Sequence, residues 1–77
     1  MPMIGEIQTA VADAVDLVNR HSGKTTIHLQ FVDTGEIDII ANAATMIDGA
    51  FEFKAGFETV GGSVEELLSI KAEVIPS

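Results

Sequence analysis

In the first stretch of the chain, apolar residues stand at Ile4, Ile7, Val11, Ala14, Val15 and Val18. That is the i, i+3, i+4, i+7 spacing that gathers side chains on one face of a helix. Glu6, Asp13, Asp16 and Asn19 fall largely elsewhere. Pro2 suits a first helical turn, Arg20 and His21 oppose the negative end of the helix dipole, and Gly23 suits a left-handed exit. The spacing predicts an amphipathic helix over about residues 3 to 21.

After Gly23 the period changes from 3.6 to 2. Ile27, Leu29 and Phe31 alternate with Thr26, His28 and Gln30, and Ile37, Ile39 and Ala41 alternate with Glu36, Asp38, Ile40 and Asn42, which predicts two half-buried strands. A two-residue Thr34-Gly35 loop between them sets Phe31 opposite Asp38, apolar against polar. A three-residue Asp33-Thr34-Gly35 loop pairs Phe31 with Ile37 and Leu29 with Ile39, keeps one face apolar, and puts Gly35 where a left-handed residue is required. Asp48-Gly49 is a second hairpin signal, pairing Met46 with Phe51 and Ala44 with Phe53. Inward positions are odd-numbered through Ala41 and even-numbered from Ala44, so the chain is expected to bulge, bend or break near residues 42 to 44.

Phe51, Phe53, Ala55, Phe57 and Thr59 then alternate with polar residues as one long strand, kinked at Gly56. Gly61-Gly62 reads as a turn, and Ser63 with Glu66 fits a capping box. Val64, Leu67 and Leu68 suit a continuing helix, whereas Leu68, Ile70, Ala72 and Val74 alternate with Ser69, Lys71 and Glu73 as a strand does; of the two, one helical turn followed by a strand ending before Pro76 is favoured. The fold expected is a single α+β domain over residues 1 to 77: an N-terminal helix on a three- to four-stranded antiparallel meander, with a short helical turn near residues 63-68.

The 77 residues are 47% hydrophobic, contain no Cys, Trp or Tyr, and rest their aromatic core on Phe31, Phe51, Phe53 and Phe57. A chain this short buries only roughly 60% of its unfolded surface, so apolar residues left uncovered favour self-association or docking. Met1 and Ser77 are expected to be held, which packing in an assembly or in a compact monomer would supply. Twelve acidic residues against four basic ones give a net charge of -8, which repels phosphate backbones and anionic headgroups. Neither a nucleic-acid nor a membrane partner is expected. No basic residue precedes Arg20, and no apolar run approaches the roughly 18 residues of a span, so a location in the cytoplasm or a virion is expected.

Candidate chemistry is sparse. "FVDTG", Phe31 to Gly35, resembles the motif by which retroviral-type aspartic proteases display their catalytic carboxylate, and Val60-Gly61 resembles that family's second motif. The resemblance implies a dyad of two Asp33 side chains, one from each of two subunits, sharing a proton. Glu36 stands where the family has a small residue, and the chain opens with a helix. The turn reading already accounts for Asp33, Thr34 and Gly35. "SGKTT", residues 22 to 26, echoes the end of a phosphate loop, but Val18 stands where its first glycine belongs and the order is helix then strand. His21 and His28 lack metal-ligand spacing with Asp33 or Asp38, and His28 is expected outward across from Ile40. Glu36, Asp38, Glu52 and Glu58 are expected on the outer sheet face, with Lys54 and Thr26 interrupting the acidic field.

These readings describe a non-enzyme with no cofactor, metal or small-molecule substrate, acting through contacts with itself or another protein. A small phage virion component, such as a neck, tail or decoration protein, is the concrete expectation. The alternative is an acidic inhibitor whose carboxylate face mimics nucleic acid on a host enzyme.

Overall fold

The computed structural model describes residues 4 to 76. Among these residues the helix α1 (Ile4–Arg20) is followed by β1 (Thr25–Phe31), β2 (Gly35–Ala41), β3 (Ala43–Ile47), β4 (Ala50–Ala55), β5 (Glu58–Ser63) and β6 (Leu67–Val74), with a 3-10 turn, Val64–Glu66, before the last strand. The strands form two antiparallel sheets, ordered β2-β1-β6 and β3-β4-β5. The α+β class, the N-terminal helix and the helical turn are as expected from sequence. The meander is present as β3-β4-β5, and the other three strands make a second sheet. Met1, Pro2, Met3 and Ser77, for which a helix start and held ends were expected, lie outside the described residues.

Helix α1 turns Ile7, Val11, Ala14 and Val18 into the core and packs against β3 and β6. At its C-terminus the Leu17 carbonyl accepts from the His21 N–H at 2.9 Å and the His21 carbonyl from the Lys24 N–H at 3.0 Å. The buried Thr25 hydroxyl adds a second donor there, 3.1 Å from the His21 carbonyl and 3.5 Å from that of Leu17. Ile27, Leu29, Phe31 and Ile39 meet Phe51 and Phe53 from the second sheet in one core. Phe51 lies between Phe31 and Phe53, with ring centroids 6.4 and 5.8 Å away. The Phe31–Phe51 stack therefore ties the two sheets together and adds about 1 kcal/mol beyond its buried area.

The β1–β2 register differs from the expected one by two residues. Leu29 faces Ile37, Ile27 faces Ile39 and Phe31 faces Gly35, so the loop is Val32-Asp33-Thr34 and Gly35 begins the strand at φ +91°. Side chains alternate with period two, so a slip of two leaves the same residues inward, and face parity cannot distinguish the registers. His28 consequently faces Asp38, not Ile40.

The Asp48-Gly49 hairpin pairs Met46 with Phe51 and Ala44 with Phe53, as expected. The parity change falls at Asn42, whose N–H donates to the Lys54 carbonyl at 2.7 Å while Ala43 already faces Lys54. Two residues against one is a bulge, and there the chain leaves one sheet for the other.

Two further expectations need correction. The long strand after Phe51 is two strands, because Gly56 (φ +64°) supplies the left-handed first position of a two-residue turn with Phe57. Gly61 and Gly62 lie inside β5, not in a turn. A Cβ on Gly61 would sit 2.8 Å from the Phe51 carbonyl oxygen, and one on Gly62 would meet the side chains of Glu66 at 3.3 Å and Phe31 at 3.6 Å, so close approach by backbone at Gly61 and by side chains at Gly62, not turn geometry, calls for these glycines. Glu66 closes the 3-10 turn, its Oε1 accepting from the Ser63 N–H at 3.0 Å and hydroxyl at 3.2 Å.

Candidate functional site

Even-numbered β1 residues point outward and form, with β2 and β6, a polar grid. Its rows are Ile40–Thr26–Glu73, Asp38–His28–Lys71 and Glu36–Gln30–Ser69. The lower two rows line an open hollow of about 300 Å3. His28 Nδ1–H donates to Asp38 Oδ1 at 2.7 Å, Ser69 Oγ donates to Gln30 Oε1 at 3.2 Å, and Lys71 Nζ lies 2.8 Å from Glu73. The hydrogen bond and charge of Lys71 hold the Glu73 carboxyl below its ordinary range, and Glu73 in turn raises the Lys71 ammonium.

A histidine oriented by a carboxylate could move a proton. The Ser69 hydroxyl beside it is committed to Gln30. Among the described residues, no group of three or more His, Asp or Glu could hold a metal ion. The His28–Asp38 pair was missed from sequence because it depends on the two-residue slip.

The four carboxylates of the expected contact face are divided. Glu36 and Asp38 lie on β2 in one sheet, whereas Glu52 on β4 and Glu58 on β5 belong to the other. Glu52 also lies 3.7 Å from Lys54. Asp33 and Thr34 sit exposed in the β1–β2 loop, with Gly35 opening β2, and Asp48 and Gly49 close the β3–β4 hairpin. His21 stands exposed at the end of α1, apart from the grid.

The sheet borders differ in how they are covered. In an antiparallel pair, alternate residues aim both peptide groups at the neighbour and the rest aim theirs away. The two-residue turns fix this pattern: Ala44 and Met46 on β3, and Thr59, Gly61 and Ser63 on β5, face away from β4. On β3 the helix answers. Asn19 Nδ2 donates to the Ala44 carbonyl at 3.1 Å, and the Ala44 N–H reaches Asn19 Oδ1 at 3.4 Å. On β5, among the described residues, only Ser63 has an internal acceptor for its outward N–H, Glu66.

Large apolar residues stand in water at loop tips and strand ends. Phe57, in the β4–β5 turn, is fully exposed (109%), and Ile47, beside the β3–β4 turn, is 71% exposed. Val32, Ile40 and Leu68 are also exposed. Leu68 is the extra residue of a β6 bulge, where the partners of Gln30 and Phe31 are Ser69 and Leu67. No helix among the described residues is long and apolar enough to cross a membrane. No protein-family model matches the chain, and neither a curated protein nor a solved structure matches it.

Proposed function

We propose that this chain works by contact, as a non-catalytic structural or assembly subunit that binds a copy of itself or another protein. Phe57 carries the reading. Of the four Phe residues, three make the buried stack that joins the sheets, and the fourth is held wholly in water on a two-residue turn. A large aromatic displayed on a rigid tip is costly in isolation and suits burial in a partner. Uncovered peptide groups on β5, beside that tip, support the same reading. An inhibitor that mimics nucleic acid gains less support, because its four carboxylates do not share one sheet.

The test is sedimentation of the purified chain from micromolar to millimolar concentration, beside pull-downs with the chain immobilised. The wild-type chain is expected to enter an assembly, with itself or a second protein, from which a Phe57→Ser, Ile47→Ser double variant is excluded. A chain that stays monomeric, retains no partner and turns over a substrate until His28→Ala abolishes it would sink the reading.

A further inference from the structure

We infer that β5 is a self-pairing edge, on which a second copy of this chain adds antiparallel to extend the β3-β4-β5 sheet across a two-fold axis; the inference rests on the contact reading above. Of the four border strands, β3 and β6 lie against α1, and the Ala44 peptide of β3 is already taken by Asn19. Strand β2, Gly35–Ala41, has Asp38 at its midpoint and Glu36 beside it. Antiparallel self-pairing there would set Asp38 against Asp38, like charges directly opposed. Strand β5, Glu58–Ser63, carries its only charge at its first residue. Of the two borders that α1 leaves open, β5 carries one carboxylate of its own and β2 carries two, which favours β5 in a chain of net charge -8.

The register follows from the hydrogen-bonding groups. An axis at Gly61 would need the Ser63 N–H, which Glu66 already occupies. An axis at Val60 uses only free groups: Thr59 faces the partner's Gly61 at each side of the axis, and each such pair exchanges two N–H···O bonds. Val60 then meets the partner's Val60, and Glu58 faces the partner's Gly62, beside which that copy's Glu66 carboxylate is held by the Ser63 N–H. The same register brings Phe57 level with the partner's Ser63. Ser63 lines, with Gln8, Asp48, Gly49, Val64 and Glu65, a surface hollow of about 320 Å3. Each copy thus offers one exposed aromatic and one hollow, the self-complementarity that a closed two-fold contact requires.

Multi-angle light scattering and amide hydrogen exchange over a dilution series test this. The chain is expected at about twice its 8.1 kDa mass, with Thr59 and Gly61 amides protected at high concentration and released on dilution. Thr59→Pro removes an outward N–H that β4 does not use, and should give a monomer with unchanged circular dichroism. Phe57→Ser, which removes no core contact, should weaken the dimer at least tenfold. A wild-type monomer at millimolar concentration overturns the edge inference, and a heterologous partner would still leave the contact reading standing. A dimer that persists in folded Thr59→Pro, or whose Thr59 and Gly61 amides exchange freely, likewise overturns it while sparing that reading. Should Thr59→Pro fail to fold, the dilution-dependent exchange and Phe57→Ser decide alone.

Discussion

Asn19 shows how one side chain does the work of a strand. Its amide group offers Ala44 a donor and an acceptor, as a neighbouring peptide would, so the border of β3 is closed by a helix residue. Asn19→Ala leaves both Ala44 groups without that partner and should cost about 1 kcal/mol, read as a lower urea midpoint at unchanged slope. Asn19→Asp should cost at least as much, since it puts a carboxylate oxygen against the Ala44 carbonyl oxygen where the amide donated. An unchanged midpoint in both would mean that water serves Ala44 equally well. Glycine positions make a similar contrast between sites. Gly61→Ala forces a methyl to 2.8 Å from the Phe51 carbonyl oxygen, a backbone atom that cannot swing aside, whereas Gly5→Ala meets nothing within 4 Å. The first should destabilise by about 1–3 kcal/mol. The second should be neutral or stabilising, because alanine is the better helix former. Equal melting temperatures for the two variants would refute the close-approach account of β5.

At the scale of elements, β6 owes part of its surface chemistry to the Lys71–Glu73 pair, two residues apart on one face. Glu73 is depressed by Lys71, so its share of the interaction is present above the unfolded carboxyl range and is lost as pH falls through the folded value. Lys71 is raised, so its share is present below the ordinary lysine range and is lost as pH rises through the folded value. Between those limits the pair is intact, and its exposure to water keeps the stability effect small. Carboxyl titration followed by NMR should show the Glu73 midpoint rising in Lys71→Ala; an unmoved midpoint would remove Lys71 as the cause. The alternation that carries Lys71 and Glu73 outward was legible in the sequence, as were α1, the Asp48-Gly49 hairpin and the parity change at Asn42. Local chemistry decides each of those. The β1–β2 register was not legible, since period two is blind to a slip of two, and with it went the His28–Asp38 contact. The long strand was misread because Phe57 alternates correctly with its neighbours yet turns outward at Gly56. Which carboxylates share a face depended on there being two sheets, a long-range fact that no local pattern states.

For the whole molecule, the decisive feature is that two three-stranded sheets share one small core. Neither has a hydrophobic interior of its own, because Phe31 of the first packs on Phe51 of the second and α1 covers both. Phe53 is fully buried beside Phe51, and its truncation to alanine should cost about 3–5 kcal/mol from the lost burial and the cavity left behind. Domains of this kind have only about 5–15 kcal/mol in total, and small ones stand at the low end. Phe53→Ala should therefore lose most of its stability, and should lose it in both sheets at once, although the substitution lies in only one. Native-state hydrogen exchange would show this as equal loss of protection at Leu29 in β1 and Thr45 in β3, both of which face a neighbouring strand. If β1 amides kept their wild-type protection while β3 opened, the sheets would be separate folding units and the Phe31–Phe51 contact a mere adjacency. The same coupling bears on assembly. A partner that pairs with β5 stabilises β4 and, through Phe51, the distant β2-β1-β6 sheet, so slower exchange at Leu29 should accompany self-association even though β1 touches no second copy.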